Sequence, residues 1–171
     1  MPKFKFIFLP ILFIFLSAGV LCADKVSYVI DGDTFILENN QRVRMIGINA
    51  PETAHPRYGK KGQPYGNQSR ERLRKFIDGK DVTLKDGREL FDRFGRRLAY
   101  VYLPDGTFVN REMVREGYAE TFRKFPFEYK SDFLELERAA KQAKSGMWKD
   151  KPSSRSAEFA DYLAALFGLK K

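Results

Sequence analysis

The sequence predicts a mainly β fold with helices, an α+β domain in which a small five-stranded barrel carries three α-helices. Between Lys25 and Leu103, β-branched and aromatic residues gather in five short runs separated by turn pairs. Elsewhere, apolar residues recur every three or four positions, the spacing of a helix with one buried face. The chain has 171 residues, 43% hydrophobic and 31% charged, which suits one globular domain with its own core.

The expected strands are 26–30, 34–38, 42–48, 82–85 and 97–103. Asp31-Gly32, Asn39-Asn40, Asp86-Gly87 and Asp105-Gly106 supply the turns, because Gly, Asn and Asp tolerate tight-turn backbone conformations. A helix over 67–77 places Leu73, Phe76 and Ile77 on one face and stops at Asp78-Gly79. A short helix over 109–115 stops at Gly117. A longer one over 129–144 presents Phe133, Leu136, Ala140 and Ala143 to the barrel and stops at Gly146.

Three segments fall outside this frame. Lys3 and Lys5 precede an apolar run from Phe6 to Leu21, too short for a spanning helix and interrupted by Pro10. Residues 1–23 therefore read as a secretory signal peptide cleaved between Val20 and Asp24, which places the mature protein outside the cell or in a periplasm. Left uncleaved, the same run would attach the chain to a membrane, and acylation of Cys22 is a weaker reading because bulky Leu21 precedes it. The Gly-, Pro- and Lys-rich stretch 53–66 reads as a surface loop, and its His55 as a solvent-facing residue. After Trp148, residues 150–171 form a polar linker and a short amphipathic tail. The domain proper is 24–149, expected to be a monomer.

Composition narrows the chemistry. With one cysteine and one histidine, the chain can form no internal disulfide and no Cys/His zinc site. The net charge is +9, and +7 once Lys3 and Lys5 are removed with the leader. A basic exported domain suits a polyanion, although a basic surface also serves solubility alone.

Acids and arginines collect at strand ends. Asp33 opens the second strand, Arg44 lies in the third, Asn49, Ala50 and Glu52 follow it, and Arg96 precedes the fifth. Hard cations such as Ca2+ take oxygen ligands from carboxylates, amides and main-chain carbonyls, which Asp33, Asn49 and Ala50 could supply. Pro51 disfavours a helical conformation at Ala50. The guanidinium forks of Arg44 and Arg96 match phosphate oxygens, and Glu52 is a candidate base for an attacking water. Taken singly, Asp33 reads as a strand-edge acid, Arg44 as a surface residue, and 49–52 as a turn.

Taken together, IDGDT, VRMIGINAPE, DRFGRRLAYVY, VNREMVREGYA and AKSGMW resemble the staphylococcal nuclease family in order and spacing, over about Lys25 to Trp148. The resemblance implies an OB-fold barrel with three helices and calcium-dependent hydrolysis of DNA and RNA, single-stranded or frayed, leaving 3′-phosphate ends. It implies that Asp33 binds calcium, that Ala50 offers its carbonyl, and that Arg44, Glu52 and Arg96 are catalytic. Asp31 matches an acid near the metal that is not its main ligand, for which a turn role suffices.

The chain also departs from the family. Asn49 stands where the family has a second metal-binding aspartate, so weaker calcium affinity is expected. Ala50 replaces a threonine. Arg93 and Phe94 replace a substrate-contacting lysine and tyrosine, and Phe122 or Phe125 offers a stacking face in place of a later tyrosine pair. A noncatalytic OB-fold module that binds nucleic acid or protein is the alternative.

Overall fold

The computed structural model describes residues 23–54, 59 and 61–149. The leader before Ala23, the loop residues His55 and Lys60, and the tail at 150–171 lie outside the described residues.

Five strands close a barrel in the order β1-β2-β3-β6-β5. They are β1 (Asp24–Val29), β2 (Thr34–Leu37), β3 (Arg42–Met45), β5 (Asp81–Phe91) and β6 (Arg97–Tyr102). β3 and β6 run parallel, which requires a long crossover between them; the other barrel pairs are antiparallel. Helix α1 (Gly66–Ile77) occupies that crossover, and α2 (Val109–Arg115) and α3 (Lys130–Gln142) follow the barrel. Two short strands, β4 (Ile48–Asn49) and β7 (Glu120–Thr121), pair in a separate ribbon.

The pleat sends alternate residues inward. Phe35, Leu37, Val43, Met45, Ala99 and Val101 fill the barrel and are at most 1% exposed. Leu73 and Ile77 of α1, Met113 and Val114 of α2, and Phe133 of α3 cap the same core. Each of these side chains larger than alanine stabilises by about 1.5–3 kcal/mol on burial.

β1 does not keep strict alternation. Val26 opposes Leu37 whereas Tyr28 opposes Ile36, so Ser27 is an extra residue, and its hydroxyl donates to the carbonyls of Ile36 and Leu37 at 3.3 Å each. This bulge lets Val26 point inward as Val29 does, while Tyr28 stays outward.

Three expectations change. The expected strand 42–48 breaks at Ile46: β3 stays in the barrel and β4 leaves it to pair with β7, a long-range partner that local pattern does not reveal. Asp86-Gly87 is not a turn; β5 runs through it with a register shift, and the chain reverses at residues 92–95, where Asp92 accepts the N–H groups of Phe94 and Arg96. On α3, Ala143 is exposed, and the buried face instead carries Glu137, 1% exposed.

Candidate active site

The site forms at one end of the barrel, where the loop before β2, the end of β3 and the β4 segment converge. Asp33 ties them together. Its main-chain carbonyl accepts the Met45 N–H at 2.9 Å, and its carboxylate accepts the Ala50 N–H at 2.7 Å and the Thr34 hydroxyl at 3.0 Å. Arg44 Nη1 lies 2.7 Å from the Asp33 carboxylate, and Arg44 Nη2 donates to the Asn49 amide oxygen at 3.4 Å. Asp33, Arg44, Asn49 and Ala50 are therefore one cluster, as the sequence suggested. Nη1 sits beside its acid at an angle too poor to donate, and it has no hydrogen-bond acceptor among the described residues.

Asp31 carries more than the turn role given to it. Its carboxylate accepts the Asp33 N–H at 3.0 Å and is buried, 8% exposed. Burial, then the neighbouring charge of Asp33, push its pKa up to about 7, and Glu52 adds to the effect. The signal available in the sequence was two acids flanking one small residue, a spacing that commits both carboxylates to a single loop. What sequence could not show was that α1 and the β4 segment cover that loop.

Gly32 explains the close cover. A Cβ there would lie 2.6 Å from the Ala50 Cβ and 2.7 Å from the Ser69 Cβ, so the loop packs against α1 and the β4 segment only because residue 32 has no side chain. Gly66, the first residue of α1, does the same for Glu52, since a Cβ at 66 would overlap the Glu52 carbonyl. The Glu52 N–H donates to the Gln63 side-chain oxygen at 3.1 Å and its carbonyl accepts the Gln63 N–H at 2.9 Å, which closes the neck of the following loop. A shallow cleft lined by Thr53, Gln63, Pro64 and Asn67 opens beside Glu52.

Arg96 joins from the neighbouring strand. The parallel pairs Val43–Arg97 and Arg44–Leu98 place residue 96 on the outer barrel face that Arg44 shares, one pleat repeat away. Asp92 orients its guanidinium, accepting from Nε at 2.7 Å and lying 2.6 Å from Nη2. Burial alone would raise the Asp92 pKa, but hydrogen bonds from Arg96 and Phe94 hold it below its ordinary value. Arg93 and Phe94 sit at the tip of the same turn, Phe94 64% exposed with Arg93 stacked at 4.7 Å and Arg96 at 5.5 Å from its ring centre. Phe125 is exposed and Phe122 half-buried, their rings 5.9 Å apart, so Phe125 is the better stacking face.

Among the described residues, no three His, Cys, Asp or Glu side chains group as a metal centre. The donors present are two buried carboxylates and the Asn49 amide oxygen, all hard oxygens suited to Ca2+ or Mg2+ rather than to thiolate-seeking metals. Asp31 points the same way, because a carboxylate whose proton is held to about pH 7 by its neighbours lacks positive charge beside it. This donor set fits a hard divalent cation.

Known proteins share this arrangement of sequence. Residues 42–150 match the family model described as staphylococcal nuclease homologue. An uncharacterized endonuclease of Escherichia coli is 36% identical over 149 residues, 84% of this chain and 90% of the relative. The thermonuclease of Staphylococcus hyicus is 33% identical over 144 residues, 80% and 83% of the two chains, and that of Staphylococcus intermedius is 39% identical over 121 residues, 69% of each. The family model spans β3, β5 and β6 of the barrel and all three helices. The chain belongs to the staphylococcal nuclease family.

Proposed function

We propose that the chain is an exported, calcium-dependent nuclease that hydrolyses the phosphodiester bonds of DNA and RNA and leaves 3′-phosphate ends. Phosphodiester hydrolysis follows from the family. Calcium dependence, export and product polarity are our reading, and the single observation that carries the metal assignment is the pair of buried carboxylates, Asp31 and Asp33, held on one loop beside Asn49 with the Asp31 pKa raised.

Asp33 and Asn49 would hold the cation, with the Ala50 carbonyl and Asp31 close by. When bound, calcium supplies positive charge that polarises a phosphoryl oxygen. Arg44, beside Asp33 at the site, hydrogen-bonds a phosphate oxygen through its guanidinium, and Arg96, held in place by Asp92, takes another. Both arginines neutralise charge that grows as water adds to phosphorus. Glu52 orients that water and receives its proton. The bond from phosphorus to the 5′-oxygen breaks, that oxygen takes a proton from solvent and leaves as the 5′-hydroxyl, and the phosphate stays on the 3′ side.

The test incubates the full chain with single-stranded DNA in calcium and in chelator, beside Glu52→Ala. Cutting in calcium alone, lost in the variant, is the expected result. Binding without calcium-dependent cutting would sink the enzyme reading, and equal cutting by the variant would remove Glu52 from the mechanism. Mass measurement of the exported protein's N-terminus tests removal of residues 1–23.

A further inference from the structure

The outer face of the barrel carries a second row of side chains beside the reactive arginines. Strand pairing places Tyr28 opposite Ile36 and Ile36 opposite Arg42, and the parallel register of β3 and β6 continues the row to Arg96. Neighbouring strands lie about 4.8 Å apart, so this row crosses roughly 14 Å of sheet. Arg42 and Arg44 share the outer face of β3 about 6.6 Å apart along the strand, on the scale of one nucleotide step.

The row holds chemistry that stability does not require. Tyr28 is 54% exposed, outward on the pleat between the Ser27 bulge and inward Val29. Arg42 is exposed, and no acid pairs with it among the described residues, whereas Lys25, Arg74, Lys85, Arg97 and Arg111 each face a carboxylate. Ile36, half-buried between them, floors the row.

We propose that Tyr28, Ile36 and Arg42 form a subsite for single-stranded nucleic acid flanking the bond to be cut. The Tyr28 ring stacks on a base and the Arg42 guanidinium takes the adjoining phosphate. Base stacking needs only an exposed ring face and a backbone track of positive charge, and both are continuous here with Arg44 and Arg96. This inference rests on the nuclease reading above for its occupant.

The test measures binding of a short fluorescent oligothymidylate to the full chain in chelator, together with cutting of the same oligonucleotide in calcium. Tyr28→Ala should weaken binding roughly tenfold and Tyr28→Phe should restore it, since the ring is what stacks. Arg42→Ala should flatten the dependence of binding on salt by about 0.7 in log–log slope, the share of one phosphate contact on a single strand. Variants that bind as the wild type does, with unchanged salt slopes, overturn the subsite while leaving the nuclease reading intact. A wild type that binds through Tyr28 and Arg42 yet never cuts keeps the subsite and removes the nuclease reading.

Discussion

Two buried acid positions in this molecule behave in opposite ways. Glu137 on α3 is 1% exposed and accepts hydrogen bonds from Arg123 at 2.8 Å and from the Thr121 N–H at 2.9 Å, with Lys141 Nζ one turn along the helix. Burial by itself would raise its pKa, but those partners outweigh burial and hold it at about 2. Asp31 is buried to a similar degree, receives one backbone N–H, and has a second carboxylate as its neighbour. Its pKa rises to about 7. Glu137 is completed by the protein alone and holds α3 to β7. Asp31 is left short of positive charge at the end of the barrel where the arginines converge. A satisfied buried acid marks architecture, and an unsatisfied one marks where a ligand's charge is needed.

The comparison can be broken most severely at the arginines and Glu52. Arg44→Gln or Glu52→Gln should lower kcat by about 10²–10³-fold at temperatures where the variant is folded, Glu52→Gln with a melting temperature near that of the wild type and Arg44→Gln with a lower one, because the buried Asp33 carboxylate loses its ion-pair partner; a comparable loss from Glu137→Gln at temperatures where it is folded would erase the distinction between the two acids.

Glu137→Ala should cost about 3 kcal/mol of stability, through an unpaired Thr121 N–H and a cavity at the α3–β7 contact. Because the folded pKa of Glu137 is depressed, its contribution is present above its ordinary pKa near 4.5 and is lost as pH falls toward about 2. The gap between wild type and variant in denaturant titrations should therefore narrow in acid, leaving the part due to the cavity.

Asp31 has the opposite sign. Its folded pKa is raised, so the fold carries no penalty while the group is protonated and is progressively destabilised as pH rises from about 4 through about 7. Without divalent cations, Asp31→Asn should be more stable than the wild type by roughly 1–2 kcal/mol at about pH 8, with the gap closing in acid. Added calcium should narrow that gap, and a gap indifferent to both pH and calcium would show that Asp31 is an ordinary structural acid.

The smallest expected effect is at Asn49. Restoring a carboxylate with Asn49→Asp adds one charge beside Asp33 and should lower the calcium midpoint about tenfold by calorimetry. Identical midpoints would mean that Asn49 is not a ligand.

Much of this was legible in the chain. The barrel strands, the three helices and the Asp33–Arg44–Asn49–Ala50 cluster follow from alternation, helical spacing and motif order, which are local signals or sums of them. Three features were not. Asp31 looked like a turn residue because its burial comes from α1 and the β4 segment, elements distant in sequence that close over Gly32. Glu137 gave no signal because its partner Arg123 lies on another segment, and helical periodicity reads apolar residues rather than paired charges. The separation of β4 from β3 was hidden because its partner, β7, begins some seventy positions later.

Ser27 gives the barrel an inside–outside reading frame. One added residue on β1 shifts every position before it by one phase relative to β2, so Val26 and Val29 both face the core while Tyr28 faces the site. Deleting Ser27 would force a choice that the present strand avoids, either a tyrosine packed against Phe35 and Val43 in the core or Val26 turned out to solvent. A single serine, secured by two hydrogen bonds from its hydroxyl, thus allows one strand to serve both the interior and the working surface.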